Sequence, residues 1–224
     1  MAASALAFAS PPDFGSVTAP WWNDRTVYLI GGGPSLSGFA LDTLCGLGHC
    51  IGINQSMFDI PVAAGISIDQ RFILERHQEL AEFAQTTQLY LAPGDRFCRT
   101  VDPVAGAIYL RSEFMQGLST SPDLLHTGGT SGYAALNLAV LKRARKIVLL
   151  GYDYGVIGGR HHYHDDYFWH RPEDQSWQSW ARHFDSAAIQ CRELGIEVIN
   201  ASPRSAIECF SKMLIEEAMQ WGDK

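Results

Sequence analysis

The densest grouping of residues able to do chemistry is Gly159-Arg-His-His-Tyr-His-Asp-Asp166. His162, His164 and Asp166 alternate, so an extended backbone would turn all three to one side. Imidazole exchanges a proton near neutral pH, which suits a general acid or base. The His-x-His-x-Asp spacing could equally hold a divalent ion, and a solvated polar loop is the third reading. Tyr163, Tyr167, Phe168, Trp169, Trp177 and Trp180 crowd the same stretch, enough aromatic surface for a lid over a flat ring. Trp177, Trp180 and Phe184 also fall at helical spacing, where packing into the core is expected.

Two glycine-rich turns could receive an anion. Gly31-Gly-Gly-Pro-Ser-Leu36 is neither a GxGxxG fingerprint nor a P-loop, because Pro34 and Ser35 interrupt the first and no GK[ST] follows. A glycine turn that opens a helix still presents backbone N–H groups to a phosphate, and Ser35 would cap that helix or touch the ligand. A plain tight turn is the alternative. His126-Thr-Gly-Gly-Thr-Ser-Gly132 leads into a second helix. There Thr130 or Ser131 is either an N-cap or part of a surface small enough for a nucleotide to approach the backbone.

These residues need a frame, and the hydrophobic pattern supplies one. Short apolar runs occur at 26–30, 50–53, 65–68, 88–92, 107–110, 146–150 and 196–199. Helical stretches are expected after the first glycine turn and at 71–84, 133–142, 177–194 and 205–221. Alternating strands and helices imply right-handed βαβ units, a parallel sheet covered on both faces and a Rossmann-like α/β fold. Polar or glycine clusters close several strands: Gly31–Ser35, Asn54–Ser56, Asp69, Gly151–Tyr154 and Asn200–Ser202. In an open parallel sheet such ends gather at one edge, where ligands bind. The expected organisation is an N-terminal arm at 1–24, with Met1–Pro12 loosely docked, followed by one domain at 25–224. Residues 153–176 form the histidine- and aromatic-rich lid.

Composition narrows the class. Of 224 residues, 46% are hydrophobic and 18% charged, the balance of a folded globular chain. A formal net charge of −7 argues against general nucleic-acid binding. Five cysteines without a CxxC pair fit reduced thiols in a cytoplasmic protein. No apolar run is long enough for a membrane span.

With these motifs in hand, a family resemblance can be stated. Gly31–Leu36 resembles the GxGPSL opening of a superfamily with two branches. One holds bacterial sialyltransferases that use CMP-sialic acid. The other holds archaeal 6-hydroxymethylpterin diphosphokinases and flagellar motility-associated glycosylation factors. Ile53-Asn54-Gln55 is similar to the sialyltransferase Cys-Asn-Gln strand end, with Ile53 in place of the cysteine. Thr130-Ser-Gly132 resembles the TSG helix start, Gly151-Tyr-Asp153 the Gly-x-Asp strand end, and Ile199–Ser205 the closing Pro-Asn-Ser segment. Arg160–Asp166 resembles phage and prophage members of the wider superfamily.

The resemblance implies a Rossmann-like fold and nucleotide contacts from Gly32, Gly33, Pro34, Ser35, Asn54, Ser131 and Gly132. Gln55, Thr130, Asp153 and Tyr154 belong to the same candidate set. It implies a transferase, foremost a glycosyltransferase with a nucleotide-sugar donor of the CMP type. His162 or His164, with Asp166 beside them, would serve as the base toward an acceptor still to be identified. An ATP-dependent diphosphokinase, with Asp69, Asp153 or Asp166 holding magnesium, is one alternative. A non-catalytic nucleotide-binding or accessory protein is another. Homo-oligomerisation is compatible with every version.

Overall fold

The computed structural model describes residues 12–19, 21–23, 25–44, 49–165 and 174–222. Strand β1 (Thr26–Ile30) is buried at every position, as its unbroken apolar sequence requires of a strand covered on both faces. The chain continues through β2 (His49–Ile53), α1 (Ser56–Asp59), β3 (Ala64–Ser67), α2 (Gln70–Glu75), α3 (His77–Phe83), β4 (Gln88–Leu91), α4 (Asp95–Cys98), β5 (Ile108–Tyr109), β6 (Arg111–Glu113), β7 (Leu124–His126) and α5 (Ser131–Leu141). It closes with β8 (Lys146–Leu150), α6 (Asp174–Glu193), β9 (Glu197–Asn200), β10 (Ser211–Lys212) and α7 (Ile215–Gly222).

Eight strands form one sheet in the order β10-β9-β8-β1-β2-β3-β4-β5. Every pairing in it is parallel. The expected Rossmann-like α/β architecture is therefore the one observed. From β1 the chain steps outward through β2 to β5. It then returns to lay β8 on the other side of β1. That reversal makes the carboxyl ends of β1 and β8 the switch point of the sheet, where loops leave in opposite directions and a crevice opens.

Helix α5 backs this crevice. Its sequence, SGYAALNLAVL, is apolar nearly all round, and it is buried from Ser131 through Ala139 except at Gly132. Asn137, a buried polar residue in its interior, is engaged through both ends of its amide. Its Oδ1 accepts the N–H groups of Ser119 and His126 at 3.0 and 2.9 Å, and its Nδ2 donates to the Ser119 carbonyl at 2.9 Å. These bonds lock the β6–β7 ribbon onto α5.

Several elements depart from the hydrophobic pattern. The helix expected after Gly31–Ser35 is only a three-residue 3-10 turn, Pro34–Leu36, because Ser37 is extended and Gly38 sits at φ +78°. The helix expected at 71–84 is broken at Arg76, which lets Phe72, Ile73 and Leu80 all reach one hydrophobic cluster. The last helix starts at Ile215 rather than Ser205. Upstream, the Ala206 N–H is committed to the Asp153 carbonyl and the Ser205 hydroxyl to the Tyr152 carbonyl, so that stretch cannot coil.

The arm expected at Met1–Pro12 lies almost wholly outside the described residues. The next segment is docked: the N–H groups of Gly15, Val17 and Trp22 donate to the carbonyls of Tyr109, Pro122 and Lys142. Val17 and Trp22 are buried. Lys142, fully buried at the end of α5, donates to the Thr18 carbonyl at 2.6 Å and to Gln88 Oε1 at 2.9 Å. Its ammonium also lies 5.0 Å from the centre of the Trp22 ring. Among the described residues no helix is long and apolar enough to cross a membrane.

Candidate active site at the strand carboxyl ends

The switch point holds a cavity of about 280 Å3. Gly31–Gly33 line it from the end of β1, Ile53 and Asn54 from β2, Ile68 and Asp69 from β3, and Gly151, Tyr152 and Tyr154 from β8. Gly129–Gly132 close one side, His161 and His162 lie across it, and Trp177 and Trp180 form a wall. Of the trio expected in the core, only Phe184 is fully buried; the first two turns of α6 turn their tryptophans to the cleft.

The first glycine turn is bonded to its own protein. Gly31 N–H donates to the Leu150 carbonyl at 2.8 Å and Gly33 N–H to the Gly151 carbonyl at 2.9 Å. Ser35 N–H donates to Asp153 Oδ2 at 2.8 Å, and the Ser35 and Ser202 hydroxyls lie 3.2 Å apart. The place an anion would take at this helix start is thus held by the Asp153 carboxylate. Burial raises the pKa of that carboxyl, and the two Ser35 bonds pull it back down. Gly33 must be glycine for this reason: a Cβ there would run into Asp153 Oδ2 and the Gly151 carbonyl.

The second glycine turn is open. Thr130 caps α5, its hydroxyl accepting Tyr133 N–H at 3.2 Å. Among the described residues the Ser131 and Gly132 N–H groups meet no acceptor, and both residues line the cavity. An eleven-residue helix points these amides and its positive dipole end at the cleft. The Ser131 hydroxyl accepts Ile68 N–H at 3.2 Å, which ties the helix start to β3. Gly128 and Gly129, at φ +50° and +86°, make the sharp approach, and side chains there would strike the rings of Tyr133 and Phe114.

Two residues on the lining carry left-handed backbone without being glycine: Asn54 at φ +55° and Tyr154 at φ +50°. The conformation is tolerable for asparagine but costs a bulky residue ~1–3 kcal/mol. Tyr154 is held there by its hydroxyl, 2.7 Å from Thr130 Oγ1, and by edge contacts with Phe184 and Trp177. Burial pushes its phenol far above the ordinary range, so it serves as a hydrogen-bonding group and not as an anion. Asn54 Oδ1 is buried with no hydrogen-bond partner.

The histidine segment lies over Gly32. Tyr163 N–H donates to the Gly32 carbonyl at 3.0 Å, and the Tyr163 hydroxyl bonds Asp59. The rings of His162 and His164 stack 5.3 Å apart and 14° from parallel, so alternation does bring them face to face. His162 lines the cavity and is edge-on to Trp177 at 6.4 Å, while His164 lies behind it. A Cβ on Gly32 would come within 3.2 Å of His162 Nδ1. Asp166, with Tyr167, Phe168 and Trp169, lies outside the described residues.

The candidate residues therefore divide. Gly32, Gly33, Asn54, Asp69, Thr130, Ser131, Gly132, Tyr154 and His162 meet around one cavity. Pro34, Ser35 and Asp153 form the clamp on which the first glycine turn rests. Gln55 turns to a shallow groove beside Asp59, to which its Nε2 donates at 3.2 Å. Asp69 Oδ1 caps α2, accepting the N–H groups of Arg71 and Phe72. Among the described residues no group of three or more His, Cys, Asp or Glu side chains is gathered to hold a metal. His161 is a lining residue that strict alternation overlooks, because the segment bends and brings two adjacent imidazoles to the cleft.

Fold and site together define a parallel α/β protein with its cleft at the switch point. No protein-family model matches the chain, and no curated protein sequence matches it. Among solved structures, it is similar in fold to the MAf glycosyltransferase from Magnetospirillum magneticum AMB-1, with a TM-score of 0.57 at 14% identity. The match covers 92% of this chain and 36% of the other, so this chain spans about a third of that protein's length.

Proposed function

We propose that the cleft binds a nucleotide-activated sugar and transfers the sugar to an acceptor hydroxyl. The observation that carries this reading is the meeting, at one switch-point cavity, of a helix start with two open amides, an aromatic wall and an imidazole. The Ser131 and Gly132 amides suit a phosphate, which they would hold with no reorganisation as charge builds on the leaving group. The flat faces of Trp177 and Trp180 suit a base or sugar ring. His162 would take the proton of the acceptor hydroxyl as its oxygen attacks the sugar carbon and the bond from that carbon to the donor phosphate breaks. Similarity of fold to a glycosyltransferase is consistent with this class of reaction. The motif resemblance favours a CMP-type donor.

The test is calorimetric titration with CMP, UDP, GDP, ADP and ATP, each with and without magnesium, followed by assays of nucleotide release from the matching sugar donors. Magnesium-independent binding of a cytidine nucleotide is expected. His162→Ala should lower turnover by about 10²- to 10⁴-fold, the usual worth of a positioned base, with nucleotide affinity nearly unchanged. Binding of ATP only with magnesium would replace this reading with the diphosphokinase one. No binding of any nucleotide would leave an accessory protein.

A further inference from the structure

We propose that the rim just outside the cavity is the acceptor subsite and takes a sugar ring, with Phe114 as its stacking face and His183 as its hydrogen-bonding edge. The inference rests on the glycosyl-transfer reading above and names the class of acceptor for that same cleft. It starts from a row of aromatic rings that leads out of the cavity. The rings of Tyr154 and Trp177 meet edge to face with centres 6.0 Å apart, and Trp177 and Trp180 follow at 5.5 Å. The row continues to Phe114 across Gly129, since a Cβ there would lie 2.6 Å from the Phe114 ring and 3.5 Å from the Trp180 indole nitrogen. Tyr154, Trp177, Trp180 and Gly129 line the cavity, whereas Phe114 stands beyond them and is 68% exposed.

A single exposed phenylalanine is ordinary on a protein surface. This one is held at the cleft mouth. Around it the Thr127 and Gly128 N–H groups donate to the Glu113 and Met115 carbonyls at 3.0 and 3.3 Å, and the Gly117 N–H donates to the Ser186 hydroxyl of α6 at 2.8 Å. The ring itself packs at 83° to that of His183, with centres 5.6 Å apart. A platform already in place spares a ligand the cost of ordering it. His183 supplies direction. Its Nδ1 lies 2.7 Å from the Gly128 carbonyl oxygen. A carbonyl only accepts, so Nδ1 carries the proton and, in the neutral ring, Nε2 carries the lone pair. One turn of α6 beyond Trp180, this imidazole thus offers an acceptor to a hydroxyl group beside the Phe114 ring. A sugar ring has the matching chemistry: a C–H face that packs on an aromatic ring and a rim of hydroxyls. The apolar part of the rim is only Phe114 and Met115, between exposed Glu113 and Gln116. That suits about one sugar ring and is too little for a bilayer or a long apolar chain.

The experiment uses the full chain with lactose, maltose, cellobiose and diacetylchitobiose, read by saturation-transfer NMR and by tryptophan fluorescence, with the nucleotides above titrated in parallel. At least one disaccharide should bind, with the strongest saturation on its ring C–H protons. Phe114→Ala should weaken that binding by about 3- to 10-fold, and Phe114→Tyr should retain it. His183→Asn keeps a donor for the Gly128 carbonyl and loses Nε2, so it should weaken the same sugar by about 3- to 10-fold, the worth of one hydrogen bond. Nucleotide affinity and melting midpoint should match wild type in all three variants. Binding of none of the disaccharides overturns the proposal, as does unchanged sugar affinity in Phe114→Ala. Wild-type binding to phosphatidylglycerol vesicles that Phe114→Ala abolishes would also overturn it and make the rim a membrane contact. Sugar binding lost in Phe114→Ala, in a protein that binds no nucleotide, would sink the donor reading and leave the subsite standing.

Discussion

The molecule contains two glycine-rich turns that look alike in sequence and differ in what their backbones are free to do. Gly31–Ser35 is closed: three of its N–H groups are bonded to Leu150, Gly151 and Asp153, and only a 3-10 turn continues from it. Gly128–Gly132 is open: its first helical amides have no acceptor among the described residues, and eleven helical residues stand behind them. A glycine turn becomes an anion site when a real helix continues from it and no protein carboxylate has already taken the place. In the first turn glycine serves close packing of backbone on backbone. In the second it serves approach.

The largest expected effect comes from forcing a side chain into the closed turn. Gly33→Val would drive a Cβ into the Asp153 carboxylate and the Gly151 carbonyl, and the second of these is backbone at the end of β8, which cannot yield without disturbing its pairing with β1. Overpacking of this kind costs about 3 kcal/mol or more. For a chain of this size that lowers the melting midpoint by ~10 °C, measurable by thermal unfolding. A variant with wild-type stability and no nucleotide affinity would instead make this turn a ligand cradle and erase the contrast.

The contrast is only half legible in the sequence. Seven of the ten strands described are plain, because apolar runs between turn residues leave few alternatives to a parallel sheet, and the clustering of strand ends comes with that topology; β6, β7 and β10, two or three residues each, carry no such run, and β10 falls inside the helix expected at 205–221. The Thr130 cap and the helix behind it are readable for the same local reason. What cannot be read is that Asp153, 118 positions from Ser35, swings under the first turn and bonds its amide. A long-range hydrogen bond of this sort has no periodicity. The overextended last helix has the same origin, since Ala206 and Ser205 are bonded to the end of β8. His161 escapes the pattern because alternation assumes extended backbone, and residues 161–165 bend.

The other end of α5 sharpens the comparison from the opposite direction, because it is filled by the protein itself. Burial lowers the pKa of Lys142 to about 8 from its ordinary 10.5. Below pH 8 both folded and unfolded chains carry the proton, and the folded state bears the full cost of the buried charge. Between pH 8 and about 10.5 the unfolded chain binds more protons, so stability rises with pH across that window, by ~3 kcal/mol at most. Lys142→Met keeps much of the volume and removes the charge, and it should abolish that rise in denaturant titrations at pH 7, 8, 9 and 10. At pH 7 the variant also loses the bonds to Thr18 and Gln88, one of several ties that hold the N-terminal segment. Nucleotide affinity should not change, since the cavity lies at the far end of the helix.

The smallest expected effect is at the open turn itself. Thr130 Oγ1 caps α5 through Tyr133 N–H and holds the Tyr154 hydroxyl at 2.7 Å. Thr130→Ala removes the cap, worth about 1 kcal/mol, and leaves a buried phenol without its partner, worth roughly another. A midpoint lowered by ~5 °C is expected. Thr130→Ser should restore most of it, because serine supplies the same oxygen. Ser131 and Gly132 stay in place in both variants, so nucleotide affinity should fall only as far as the first turn of α5 frays. If Thr130→Ala keeps its stability but loses affinity, the hydroxyl contacts the ligand directly and the turn is more than a helix start. If stability and affinity fall together and serine rescues both, the cap is what keeps the Ser131 and Gly132 amides aimed at the cleft.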